Sequence, residues 1–369
     1  MKKKLVWIIS NVQKSYVFEW QLEELKEYFN LQVLLLNPDN SPFENFLKEK
    51  KIQHKRIYIG NKLSYIGAFL KVLYHLIRFK PDIVHCHLIE AQIIGLLSSY
   101  LIRTPKRVYT RHNSNYHHVY FPKAIKYDLL SNRLSTHIIS ISQATYDTLT
   151  QLEHVSPSKI ITIYHPFKIK DIQCSADINK ESVCNKWNIP TSKFIVLCIS
   201  RYIEWKGIQY LIPAFKKFLK QYPDSFLIIA NAHGPYKNTI SSLLSELPNE
   251  SYKEIFFEEN IYSLYKISNI FIHVPTDPVS EAFGQVYIES FALSVPSIIT
   301  LSGIAREIAK HKHNAYIVPF KDTDSIYRAM VELKNNSSLI NTLKKNAPLS
   351  VQSFDFNEVI HQIIKFYNE

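Results

Sequence analysis

Cysteine is scarce. The four at positions 86, 174, 184 and 198 form neither a C-x-x-C unit nor a regular ladder of spacings. A disulfide scaffold is therefore excluded, and a reduced, cytoplasmic chain is the simplest expectation. Long apolar runs are missing too: the longest helix candidate, residues 93–102, falls short of the ~20 residues that span a bilayer. No transmembrane anchor is expected. The opening "MKKKLVWIISN" resembles a secretory leader only briefly, because its apolar run at 5–9 is shorter than a leader core of roughly 7–15 residues. It reads as a first buried strand. Acidic residues are in deficit, 32 against 44 Lys and Arg, for a net charge of +12. That balance favours anionic partners such as phosphate-bearing small molecules or a membrane face. No nucleic-acid-binding motif accompanies it and the basic residues are scattered, so no nucleic-acid partner is expected.

What is present is enough apolar material, 46% of 369 residues, for two domains with a core each. Short β-branched runs alternate with longer amphipathic stretches, the pattern of parallel sheets covered by helices. Strands are expected at 5–9, 32–36, 56–59, 82–86, 107–110, 137–141 and 160–164, and again at 194–199, 225–230, 254–257, 270–273, 297–300 and 315–318. Helical periods fall between most of them, and one, at 284–293, starts inside "SEAFGQVYIES". The aperiodic "HPFKIKDIQCSADINKES" separates the halves. The expected organisation is a Rossmann-like domain at 1–166, a linker at 167–190, a second Rossmann-like domain at 191–350, and a closing amphipathic helix at 351–369. In such sheets ligands bind outside the carboxyl ends of the strands, so residues just after strands matter most.

Two such places stand out. After the strand at 194–199 comes "SRYIEWKG", with Arg201 and Lys206. A guanidinium fork and a compact ammonium together suit a diphosphate; two solvated surface cations are the plain alternative. After "NIFIHVP" comes "SEAFGQVYIES". Gly284 falls near a helix's first turn, where free amides attract anions and a glycine admits a ligand close to the backbone. Glu289 can hydrogen-bond the adjacent hydroxyls of a ribose, and Glu281 another part of the same ligand. An acidic helix start without a ligand is the alternative here.

"ISRYIEWKGIQYLIPAF", "SEAFGQVYIESFALSVPSI" and "SGIAREIAKHKHNAYIVPF", in this order, resemble the carboxyl-terminal domain of family 4 glycosyltransferases. "PDIVHCHL", "VYTRHN" and "HIISIS" match looser patterns of that family's first domain. The resemblance implies an α/β GT-B fold, two Rossmann-like domains facing a cleft with the last helix crossing back to the first. It implies a retaining, metal-independent hexosyltransferase that moves a sugar from a UDP- or GDP-sugar to a glycan or lipid-linked acceptor in surface polysaccharide synthesis. By position, Arg201 and Lys206 would hold the diphosphate, Glu281 the sugar hydroxyls and Glu289 the ribose. Phe283, Gly284 and Gln285 would complete the donor site, and His112 would lie across the cleft near the reacting carbon. Base contacts are expected within "FFEENIYSLY". No cofactor or metal is implied.

The sequence departs from the family where glycine is usual. The first loop, "SNVQKSYVF", has none, and Ala232 or His233, Ser294 and Ala315 stand in glycine positions; the chain has seven glycines in all. This keeps open a non-catalytic partner subunit, or an epimerase of the same fold. "HCH" at 85–87 and "RHNSNYHH" at 111–118 suggest metal sites, but a strand end and an acceptor-side loop account for them. "NKLSYIGAFLKVLYHLIRFK", with Lys62, Lys71, Arg78 and Lys80, reads either as an interfacial helix on anionic lipid or as a sheet-packed helix with a solvated basic face. Peripheral contact with the inner membrane face stays open on that account.

Overall fold

Runs such as "LVWII" and "VLLL" are buried on both faces of the sheet, which is why they are apolar throughout rather than alternating. The computed structural model describes residues 2–178 and 180–369. In its first half, β1 (Lys4–Ser10), β2 (Asn30–Leu36), β3 (His54–Ile57), β4 (Ile83–His87), β5 (Lys106–Arg111), β6 (His137–Ser140) and β7 (Ile160–Thr162) form one parallel sheet, in the order β3-β2-β1-β4-β5-β6-β7. In its second, β8 (Phe194–Ile199), β9 (Ser225–Ala230), β10 (Tyr252–Ile255), β11 (Ile270–His273), β12 (Ser297–Ile299) and β13 (Tyr316–Ile317) pair in the order β10-β9-β8-β11-β12-β13. Strand order reverses between β1 and β4 in one sheet and between β8 and β11 in the other. Those switch points are where doubly wound sheets open a crevice.

The chain divides into two compact units, Met1–Phe167 with Phe356–Glu369, and Lys168–Asp355. The closing helix Phe356–Asn368 belongs to the first unit: Val359, Ile360, Ile363 and Phe366 share a core with Leu5, Trp7, Leu22 and Leu25. Tyr367 adds polar anchorage, since its hydroxyl accepts from Trp7 Nε1 at 3.1 Å and bonds His85 Nδ1. Residues 351–354, expected to open that helix, instead finish the 3-10 segment Pro348–Phe354 in the second unit, with Asp355 as its cap.

The stretch expected as a linker is helical. Ile169–Ile178 and Lys180–Trp187 pack on the helix Ile261–Ile267 of the second unit. Charged residues spaced among Ile172, Ala176 and Val183 disguised an amphipathic period; those three are buried. Strand ends also moved by one or two residues. β3 and β10 both start earlier than expected, because polar edge residues such as His54 and Tyr252 still pair with the neighbouring strand.

Candidate functional site

In the second unit the loop after β8 and the loop after β11 meet at the switch point. Gly207 makes the meeting possible. Its φ is 78°, and a Cβ there would sit 1.8 Å from the Val274 carbonyl oxygen. Only a glycine lets the two backbones approach this closely.

The meeting brings Lys206 to Glu281, Nζ to Oε2, at 2.5 Å. His273, the last residue of β11, donates from Nε2 to the same oxygen at 3.1 Å, and its Nδ1 has no partner among the described residues. Lys206 is also held over the Trp205 ring, 4.4 Å from the centroid. Burial would raise the Glu281 pKa; the Lys206 charge and the His273 hydrogen bond outweigh it and hold the carboxyl at about 2. Burial pushes His273 below its ordinary value, so it stays neutral beside the ammonium. An ammonium has three N–H donors. One goes to Glu281, which leaves Lys206 able to bind further oxygens.

Around this pair the other expected residues take distinct places. Arg201, on the same loop, is exposed and its guanidinium has no partner among the described residues. Gly284 caps the helix Gln285–Ala292 at φ 85°, where a Cβ would lie 2.6 Å from the Tyr287 ring. Gln285 is exposed at the first turn. Phe283 points the other way. It is 3% exposed, with its ring edge-on to Phe354, so its carbonyl, which accepts from Ile304 N at 2.9 Å, is what it contributes to the loop.

Glu289 is half-buried on that helix, and its Oε2 accepts from Tyr265 OH at 2.8 Å. Burial pushes its carboxyl up to about 7, against a smaller opposing effect of the Tyr265 hydrogen bond. The two glutamates, similar in sequence, thus differ in charge: Glu281 is ionised, and Glu289 titrates near neutrality. Beyond β10, Phe256 and Phe257 are both more than 60% exposed, and Phe256 lies 4.6 Å from the His233 ring. Glu258 behind them is tied to Lys186, Trp187 and Asn260 N, which fixes the loop.

His112 sits in the first unit, just after β5. Its Nε2 is 3.3 Å from His87 Nδ1 and its ring stacks on His165. Burial and neighbouring histidines push both His87 and His112 well below the ordinary value, so the cluster is neutral. His85 bonds Tyr367 and Thr110, and "HCH" therefore serves packing and hydrogen bonding at the strand end. Beside His112 lies a pocket of about 370 Å³ lined by Asn11, Leu88, Glu90, Asn113 and Tyr116 among others.

Under "TRHN" runs a buried ionic network. Arg111 lies 2.9 Å from Asp128 and 2.5 Å from Glu153. His117 bonds Asp128 at 2.6 Å and His118 reaches Glu153 at 3.2 Å. The sequence assigns no individual role to Arg111, His273 or Tyr265, although Arg111 falls within "RHNSNYHH" and Tyr265 ends "FFEENIYSLY". "NIFIHVP" does carry a signal for His273: a polar residue ends an otherwise apolar strand on the ligand side.

The chain matches the family described as Glycosyl transferases group 1 over residues 179–350, and the one described as Glycosyltransferase Family 4 over residues 23–170. It is 25% identical to the capsular polysaccharide biosynthesis glycosyltransferase CapM of Staphylococcus aureus over 385 aligned positions, covering 100% of this chain and 98% of that one. To the alpha-monoglucosyldiacylglycerol synthase of Acholeplasma laidlawii it is 24% identical over 75% of this chain and 72% of that one. Anabaena HepE in complex with UDP and glucose has the same fold, with a TM-score of 0.84 at 18% identity over 100% of both chains. Two parallel-sheet units, and family matches along most of the sequence, make this chain a member of glycosyltransferase family 4, with the GT-B fold.

Proposed function

We propose that the protein is a retaining glycosyltransferase that takes a sugar from a nucleoside-diphosphate donor and passes it to a hydroxyl of a glycan or lipid-linked acceptor, in surface polysaccharide synthesis. The observation that carries this reading is the charge arrangement at the switch point of the second unit. Arg201 is exposed with no partner for its guanidinium among the described residues, Lys206 keeps spare donors beside Glu281, and Glu281 lies against Gly284, where a helix opens with free first-turn amides. That set suits a departing diphosphate.

In the proposed step the acceptor oxygen attacks the anomeric carbon from the face that the diphosphate leaves. The bond to the phosphate oxygen breaks, and the acceptor proton passes to that oxygen. Glu281, kept ionised, accepts hydrogen bonds from the sugar's hydroxyls, and Glu289 binds the ribose. Phe256 and Phe257 offer aromatic faces to the base. The cations here are side chains, so chelation is expected to leave activity intact. Acceptor hydroxyls would be received in the first unit, at the pocket beside His112.

The test is a panel of UDP-, GDP- and ADP-sugars, with UDP-glucose first because HepE is held with UDP and glucose. Calorimetric binding followed by slow donor hydrolysis is the expected result. Binding to none of the donors overturns the proposal.

A further inference from the structure

The helix Lys62–Phe79 is apolar on two opposite faces. Ala68, Val72 and Leu76 face the sheet and are buried. Leu63, Ile66, Leu70, Tyr74 and Ile77 are each between 51% and 80% exposed. At about 100° per residue, these five fall within an arc of roughly 80°, centred opposite the buried face. Gly67 lies on the same side, and a Cβ built there meets nothing. A row of five large apolar side chains turned to solvent is not the solvated outer face that a sheet-covering helix normally presents.

The charges beside this stripe are of one sign. Residues 54–135 contain thirteen Lys and Arg against three acids, which accounts for ten of the chain's net twelve positive charges. Of the three acids only Asp82 is exposed, while of the cations Arg111 is buried and Arg56 pairs with Glu44. Asp128 is buried against Arg111, Glu90 accepts from Ser10 Oγ, and Asp82 accepts from Lys4 N. Lys71 and Arg78 flank the stripe on the helix itself, both exposed. The neighbouring helix Ile89–Leu101 ends in exposed Tyr100 and Leu101, followed by exposed Arg103.

We infer that this face docks the protein on an anionic lipid surface, the apolar stripe entering the interface and the flanking cations engaging the headgroups. Charge complementarity selects this occupant. A second copy of the chain would set like charges against one another along this face, Lys71, Arg78 and Arg103 among them, whereas an anionic bilayer both covers the apolar stripe and neutralises its flanks. The inference concerns surface binding alone and stands apart from the transfer reaction.

The experiment is co-sedimentation of the full chain with vesicles of phosphatidylcholine alone and of phosphatidylcholine mixed with phosphatidylglycerol, at low and at molar salt. Binding to the mixed vesicles that high salt weakens is expected. Two double variants probe the two parts of the face: Ile66→Asn with Leu70→Asn, and Lys71→Glu with Arg78→Glu. Each is expected to weaken vesicle binding about tenfold or more. All four side chains are exposed, so the melting temperature should not change, and donor binding measured in parallel should be that of the parent. Absent binding to anionic vesicles overturns the inference, as does parental binding by both variants. Concentration-dependent dimers without lipid, dissolved by the Asn variant, would show instead that the stripe joins two copies, and would overturn it equally.

Discussion

Lys206 and Glu281, seventy-five residues apart, share a hydrogen bond of 2.5 Å at the point where strand order reverses in the second sheet. The pair is largely withdrawn from water, Glu281 buried and Lys206 partly so, and its carboxylate is shared with neutral His273. Removing Lys206 therefore does two things at once. It withdraws a cation from the diphosphate position and leaves Glu281 buried without its counter-charge. Lys206→Ala is expected to lower kcat by roughly 10²–10³ and to cost about 3 kcal/mol of stability. The double variant Lys206→Met, Glu281→Gln should recover most of the stability and none of the turnover. Thermal melts beside donor turnover separate the two, and recovered activity in the double variant would remove the catalytic role.

The motifs that line this site were legible in sequence because each lies just after a strand, and strands announce themselves by apolar runs. Their pairing was not legible. Arg201 and Lys206 look alike as cations after a strand, yet Arg201 has no side-chain partner among the described residues and Lys206 is clamped; that depends on how closely two loops approach, which Gly207 decides. The scarcity of glycine is plain in the sequence, while its consequence for the backbone is not. Ser294 has φ 57°, Asn11 in the first loop has φ 51°, and Asn231, one residue before the expected position at Ala232 or His233, has φ 60°, so polar residues there adopt the left-handed backbone that glycine supplies most easily. In the first loop, Asn37 exchanges two hydrogen bonds with the backbone of Val12, holding in place a turn that lacks glycine. The helices at 169–187 escaped notice because their apolar positions are sparse and interrupted by charge.

Gly207 should be among the least replaceable residues of the second unit. An alanine would meet the Val274 carbonyl and hold a side chain at positive φ. The loops would have to part, at a cost of at least about 2 kcal/mol. Gly207→Ala is expected to lower the melting temperature and also to weaken donor binding, because Lys206 moves away from Glu281. A variant that melts lower but binds donor like the parent would show that the approach of the loops serves stability alone.

Arg111 neutralises two carboxylates that arrive from separate segments, Asp128 and Glu153, and none of the three is accessible to water. Its planar fork spans both, which a lysine cannot do. Arg111→Lys is expected to destabilise the chain by roughly 3 kcal/mol and to loosen the loop that carries His112. Arg111→Met with Asp128→Asn and Glu153→Gln removes all the charges together and should fold better than Arg111→Lys. Urea melts rank the variants, and equal stability for Arg111→Lys and the parent would contradict the account.

Glu289 gives the protein a pH dependence opposite in sign to that of Glu281. The Glu281 pKa falls from 4.5 to about 2 on folding, so its contribution is present above pH 4.5 and is lost as pH drops towards 2. The Glu289 pKa rises from 4.5 to about 7. Its favourable contribution is therefore complete below 4.5 and is lost as pH rises through 7. Over that window the shift corresponds to roughly 3 kcal/mol. Burying a carboxyl that titrates near neutrality destabilises the empty site, which makes sense if ribose hydroxyls replace the lost water when donor binds. Glu289→Gln should therefore melt a few degrees higher than the parent at pH 8 and no higher at pH 4. It should also bind donor more weakly at pH 8, where the parent carboxylate accepts hydrogen bonds that an amide oxygen accepts less strongly. Melting curves and donor calorimetry across pH 4 to 8 check both halves, and equal melting of variant and parent at pH 8 would refute the burial account of Glu289.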